Sequence, residues 1–401
     1  MATADRPNIP VGGASQGYVE RRSQELLKRY RGTRERRQKK AEQLAEASQY
    51  QLMLAQFKKH RVAWVCLYLL AFLYIVAIFA SFVAPYGTLT RFEKFGYAKP
   101  SQVHIIDVDG NWHLPFIYGR ESKLDKKTFT YTFVEDTSKR YPIQLFAAGE
   151  PYQLLGVIPT NRHLFGVEGD QPLLLLGSDK LGRDVLSRII HGSRVSLFIG
   201  FAGVIISFLL GTLLGGISGY YGGAIDTVIQ RIVEFLMSIP QIPLWMALSA
   251  AIPREWSGIQ KFFAITIVLS FFGWTGLARV VRGKLISLRE EDYVMAAHIS
   301  SAKPLQIIVR HLLPGVTSFL VVHITLAIPG MILGETTLSF LNLGIQAPDV
   351  SWGSLLQDAQ DVNVIANYPW LLAPVAFIML AVILFNFVGD GLRDAADPYS
   401  R

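Results

Sequence analysis

Residues 290–314 read EEDYVMAAHISSAKPLQIIVRHLLP, a polar stretch of helical pattern set between two long apolar segments. What surrounds it decides the fold. Soluble domains carry about a quarter of their residues as Asp, Glu, Lys or Arg. This chain of 401 residues carries 17% and is 51% hydrophobic. A helix needs roughly 20 apolar residues to cross a bilayer core. Six segments qualify: 62–84, 194–218, 229–251, 262–281, 316–341 and 370–389. The expected fold class is an all-α polytopic membrane protein. Its second span is rich in glycine (Gly200, Gly203, Gly211, Gly215, Gly216, Gly219), which suits close helix packing inside a bundle.

The net charge of +8 sits in the first 61 residues, with 14 Lys/Arg against 6 Asp/Glu; the remainder balances at 25 of each. That basic N-terminal segment, 1–61, ends Lys58-Lys59-His60-Arg61 and is expected in the cytoplasm, because basic residues near span ends stay inside. Six spans return the C-terminus, 393–401, to the same side. The connection 282–315 then lies inside with Arg282, Lys284, Arg289, Lys303 and Arg310, while 342–369, which has no Lys or Arg, lies outside. The tail from about Tyr18 to Lys59 reads as a charged helix interrupted at Gly32, either solvated or drawn to anionic lipid headgroups. Nothing in it resembles a nucleic-acid-reading module.

Segment 85–193, between the first two spans, falls outside and reads as a small β-rich insertion. VHIIDV and WHLPFIYG flank Asp109-Gly110, a hairpin signal, and TFTYTFVE alternates like a strand. In GSDKLGRDVLSRIIHG, Ser178 or Asp179 is placed to cap a short amphipathic helix lying on the membrane surface.

Catalytic chemistry is not in view. Gly283-Lys284-Leu285 lacks the phosphate-loop pattern, and no HExxH, GxSxG or clustered metal-ligand motif occurs. Cys66 is the sole cysteine, which excludes an intrachain disulfide. No catalytic residue, metal site or resident cofactor is expected. His323 reads as a satisfied bundle residue, and Glu234 as paired with Arg231 three residues away. Glu335, towards the outer end of the fifth span, is either on a substrate path or a structural hydrogen-bonding group.

Within the opening stretch, Ser287-Leu288-Arg289-Glu290 has the form of a capping box, so a helix is expected to start near Leu288 and end near Ser301. Glu290, Glu291 and Asp292 fall in its first turn, where the helix dipole favours negative charge. Pro304 opens a second helix that Pro314 closes. Val294, Ala297 and Ser301 form a small stripe, flanked by Tyr293 and Ala296, on which another surface can seat closely. The stretch resembles the EAA-type coupling segment of permease subunits of ATP-binding-cassette (ABC) importers. Met295-Ala296-Ala297 stand at EAA, Ser301 at the glycine, and His311-x-Leu313-Pro314 at the end; Met295 and Ser301 depart from the plain pattern. GSDKLGRDVLSRIIHGSRVSL (177–197), ETTLSFLNLGIQAPDVSWGSLLQDAQ (335–360) and GDGLRDAADP (389–398) are similar to segments of the dipeptide/oligopeptide/nickel permeases, in the same order.

The resemblance implies a type I importer permease fold with six transmembrane helices, the core lying at 194–392, and a multi-pass place in a cell inner membrane. It implies a heterodimer with a second permease, one or two ABC ATPase subunits that bind ATP and Mg²⁺, and an extracytoplasmic solute-binding protein. Glu291, Asp292, Tyr293, Met295, Ala296, Ala297, Ser301, Leu313 and Pro314 would then couple to the ATPase, and Glu335 is the candidate on the translocation path. Oligopeptides or dipeptides are the expected cargo, with nickel complexes, opines or α-galactosides as alternatives within the family. A secondary transporter is the alternative outside it.

Overall fold

The computed structural model describes residues 49–124, 131–253 and 255–396. Two units follow one another along the chain, to Lys59 and from His60. The first contributes α1, Gln49–Phe57, followed by a turn at Lys58-Lys59; the part of the expected charged tail helix before Gln49 lies outside the described residues.

The second unit opens with α2, Arg61–Ile78, where His60 Nδ1 accepts the Ala63 N–H at 3.2 Å. The expected first span is broken at Phe79 before a single further turn, α3, Ala80–Val83. Arg194 accounts for the stop. Its guanidinium donates to the carbonyls of Ala77 (2.8 Å) and Ile78 (3.0 Å), filling acceptors that a helix end leaves unpaired.

Six strands follow: β1 His104–Ile106, β2 Trp112–Leu124, β3 Tyr131–Leu145, β4 Ala148–Leu154, β5 Ile158–Arg162 and β6 Phe165–Val167. They form an antiparallel sheet of order β1-β2-β3-β6 and a separate β4-β5 hairpin. The Asp109-Gly110 hairpin forms, with Ile106 opposite Trp112 and Gly110 at φ +82°. Asp107 shapes the turn by accepting the amides of Asp109 (3.0 Å) and Asn111 (2.8 Å), an Asx arrangement. His113 and Arg140 also contact its carboxylate, at 2.8 and 2.6 Å. TFTYTFVE enters β3 from Tyr131; its first three residues are outside the described ones. The Leu164 N–H donates to Phe82 O at 2.7 Å, tying the β4-β5 hairpin to α3.

The long helices come next. α4, Val185–Tyr221, has 37 residues, capped by Asp184, which accepts the Ser187 N–H. A separate surface helix starting at Ser178 or Asp179 does not form, because both side chains serve the preceding loop. Ser178 accepts from Ala98 N (2.7 Å), and Asp179 takes the amides of Leu181 and Arg183 and the guanidinium groups of Arg183 and Arg188.

The third span is not one helix. α5, Gly223–Ser238, and α6, Gln241–Ala250, meet at 86°. Pro240 has no N–H to continue the ladder and pushes Ile239 out of helical conformation, to φ −88° and ψ 129°. α7 covers Gly258–Leu288, begun by a Ser257–Gln260 capping box. α8, Asp292–Ile299, and α9, Pro304–Ile307, form the elbow; a π-helical turn, Ile308–Leu312, then leads into α10, Leu313–Phe340. After α11, Trp352–Leu355, and α12, Val362–Asn367, the described residues end in α13, Ala373–Ala396. Among the described residues five helices are long and apolar enough to cross a membrane, and six if the bent pair counts as one.

Glycine dictates the tightest contact. A Cβ on Gly211 would lie 2.9 Å from Trp274 O, on Gly215 2.5 Å from Ala278 O, and on Gly219 2.9 Å from Arg282 O. The i, i+4 glycine row of α4 thus lets its backbone lie directly on α7.

Candidate functional site

The elbow is held from within. Val294 and Ala297, at 0% and 8% exposure, point into a core formed with Tyr220, Leu285, Ile307, Ile308 and Leu312. The expectation that the Val294-Ala297-Ser301 stripe faces a partner is therefore corrected for two of its members: Val294 and Ala297 face this chain's own bundle, while Ser301 is exposed. The outer face of α8 is Tyr293, Met295, Ala296 and Ile299, the last 83% exposed. Met295 and Ile299 are spaced i, i+4, which is the signal that would have picked out this face.

Other contacts fix the elbow's angle. The His298 imidazole stacks on Tyr220 (centroids 5.8 Å, planes 10° apart), and Arg289 Nη1 donates to Tyr220 O at 3.2 Å, at the end of α4. Glu291 occupies the N-cap position without a side-chain bond, and Asp292 alone stands in the first turn; both are exposed. The Ser287–Glu290 capping box does not form, because α7 continues through Leu288 and its helical bonds already occupy that turn.

Ser301, at the glycine position of the motif, adopts φ +59°. The Ser301 N–H donates to His298 O (3.0 Å) and the Ala302 N–H to Ala297 O (3.2 Å), the paired bonds of a Schellman stop. The tight turn thus survives without glycine. Pro314 is exposed and does not end the second helix. The π-turn lets the Leu313 N–H reach Ile308 O, and this wider turn accommodates a proline in a helix that continues to Phe340.

Glu335 is fully buried. Its carboxylate accepts from Ser196 Oγ (3.1 Å) and Ser339 Oγ (2.6 Å), while Ser196 Oγ also accepts the Trp352 N–H (3.1 Å). Of the two expected readings these contacts match the hydrogen-bonding one: Glu335 is the centre of a serine cluster that holds 341–355 against the bundle. Glu234 does bond Arg231, at 2.8 Å on an exposed surface.

His323, expected to be satisfied, has no hydrogen-bond partner among the described residues; it stacks on Phe319 at 5.9 Å. It lines a cavity of about 270 Å³ with Ser207, Gln241, Trp245 and Gly330. Among the described residues no group of His, Cys, Asp and Glu has the arrangement of a metal site.

A family model described as "Binding-protein-dependent transport system inner membrane component" matches residues 211–401. A second, "N-terminal TM domain of oligopeptide transport permease C", matches 48–100. The chain is 42% identical over 226 residues to the oligopeptide transport system permease protein OppC of Haemophilus influenzae, covering 56% of this chain and 70% of that one. It is 30% identical over 347 residues to the dipeptide transport system permease protein DppC of Lactococcus lactis subsp. cremoris, covering 86% and 88%. Among solved structures, the inward-facing MetNI methionine ABC transporter aligns at TM-score 0.41 and 19% identity, over 52% of this chain and 96% of that one.

Proposed function

The chain belongs to the binding-protein-dependent transport system inner membrane components, the multi-pass permease subunits of ABC importers, and from that premise we propose that it carries short peptides. The curated relatives named for oligopeptide and dipeptide transport support the cargo. In this reading the chain pairs with a different permease, which supplies the other half of the path. One or two ATPase subunits bind ATP and Mg²⁺ and carry out hydrolysis, and an extracytoplasmic binding protein delivers the solute. Both termini face the cytoplasm, as the basic residues near the span ends indicate.

One observation carries the mechanism: the elbow is packed into the bundle on one side and presents exposed apolar side chains on the other. Val294, Ala297 and Leu312 fix it to the ends of α4 and α7, while Tyr293, Met295 and Ile299 stand free. A cleft on an ATPase that closes over this face displaces the elbow and the bundle together, because nothing soft lies between them. The bundle then has two packings, and nucleotide biases the balance through contacts that differ between them. The insertion at 85–193, tied to α3 at the outer end of the first span, is placed to receive the binding protein.

The test is reconstitution with the partner permease, ATPases and binding protein. Peptide uptake that depends on ATP and on the binding protein is expected. Uptake that excludes peptides, or proceeds without an ATPase, overturns the reading.

A further inference from the structure

The cavity beside His323 has no assigned role, and its construction points to a ligand. Ser207, Gly273 and His323 lie near the middles of α4, α7 and the helical run Pro304–Phe340, so the cavity sits at mid-depth in the bundle. Gln241 and Trp245 reach it from the first turns of α6, the segment freed by the break at Pro240. An adjoining open groove of about 600 Å³ shares Gln241 and Gly273 with it, so the cavity has a mouth. None of the residues lining either space is charged.

The polar groups there are underemployed. The Trp245 indole N–H is buried and has no acceptor among the described residues. A buried donor without a partner costs about 1–3 kcal/mol, and it is rare unless something else supplies the bond. Neither Gln241 nor His323 makes a side-chain hydrogen bond within the described residues, although each can both donate and accept. Ser207 is already committed to Ser270 O at 3.2 Å. Two turns beyond His323 on the same helix, a Cβ built on Gly330 meets nothing within 4 Å, so the lining is open there.

We propose that Trp245, Gln241 and His323 form a neutral hydrogen-bonding site for the main-chain amide of a peptide in transit. This rests on the importer reading above. An amide offers one donor and one acceptor whatever its side chains, which is what a neutral donor, an amide and an imidazole can match. Absence of charge leaves the peptide termini unbound, so the site reads the backbone and holds it weakly. Gly330 gives side chains their room.

The experiment uses the whole transporter in proteoliposomes with trialanine as the probe, following uptake and ATP hydrolysis together. Gly330→Leu adds a side chain into open space on a helix that gains propensity from it; it should assemble normally, keep ATP hydrolysis stimulated by the loaded binding protein, and lose uptake. Trp245→Phe should leave thermal stability unchanged or raised, because no protein acceptor is lost, and lower uptake roughly threefold to tenfold, the effect of one neutral hydrogen bond. His323→Leu should do the same, with partial rescue by His323→Gln. As a readout independent of folding yield, Gly330→Cys in a Cys66→Ser background should react with a water-borne thiol reagent and be protected during peptide turnover. Full uptake by Gly330→Leu, or labelling of Gly330→Cys that turnover does not change, overturns the site while leaving the importer reading standing. Failure of the unaltered complex to carry any peptide overturns both.

Discussion

Arg282 of α7 and Asp226 of α5 form a two-pronged ion pair, Nε to Oδ1 at 2.5 Å and Nη2 to Oδ2 at 2.6 Å. It joins the bent third span to the straight helix beside it, and Ser218 of α4 donates to the same carboxylate at 2.5 Å. Lysine cannot reproduce the fork. Asp226→Asn or Arg282→Lys should each destabilise the detergent-solubilised protein by about 1–2 kcal/mol, read as a lower thermal midpoint. The double variant should cost less than the sum of the two. Strict additivity would show that the pair is idle.

The elbow separates two substitutions that a sequence pattern would treat alike. Ala297 is packed among Val294 and Leu312, so Ala297→Arg places a charge in the core and should cost about 3 kcal/mol or more. It should appear as lost folded protein. Ile299 is 83% exposed, so Ile299→Arg should fold normally and sever ATP hydrolysis from uptake. Size-exclusion yield and coupled transport assays distinguish them, and the reverse pattern would refute the orientation of α8.

Ser301 carries a backbone conformation that costs a non-glycine residue about 1 kcal/mol. Ser301→Gly should therefore be stabilising or neutral, and Ser301→Val destabilising by about 1–2 kcal/mol, since a β-branched side chain fits φ +59° badly. Thermal midpoints of the two variants decide it.

Glu335→Leu would strip the partner from two buried hydroxyls and should cost about 2–3 kcal/mol. Glu335→Gln keeps an acceptor and the shape, and should retain uptake per folded molecule. Loss of uptake in well-folded Glu335→Gln would return this residue to the transport path.

In the β1-β2-β3-β6 sheet, the backbone amide of Asn111 leads the bonds that hold the Asp107 carboxyl down at about 2, from an ordinary 3.8. His113 and Arg140 face the same oxygens. A depressed folded value means that the stabilisation is fully present above pH 3.8 and is lost as pH falls through about 2. Protection of β2 amides from hydrogen exchange, corrected for intrinsic rate, should stay level at neutral pH and decline across that window. Asp107→Asn should abolish the step.

The spans were legible because hydropathy over a window does not depend on which way a side chain points. The break at Pro240 was written in Ser238-Ile239-Pro240 but not decisive, since membrane helices tolerate proline when neighbours satisfy the freed groups. The elbow's location could be read, but not its facing. Around α8 the rows Val294/Ala297 and Met295/Ile299 are both apolar, and only Tyr220, Ile308 and Leu312, distant in sequence, settle which row is covered. Glu335 was ambiguous for the same reason, because its partners Ser196 and Ser339 come from two helices and the loop they hold lies beyond it. The cavity residues left no motif at all. Gln241, Trp245 and His323 share a wall only because the third span is bent.

The glycine row on α4 restricts how this protein can change over generations. A single methyl at Gly215 would collide with the backbone at Ala278, which no neighbouring side-chain rotation can relieve. Compensation would require the whole of α7 to withdraw, carrying Arg282 and the elbow with it. These three glycine positions should therefore be almost closed to drift, while exposed residues of the same helix, such as Leu209 and Leu213, stay open to apolar exchange. In a saturation library the helix would divide into two histories: one face frozen at a single residue type, the other wandering freely.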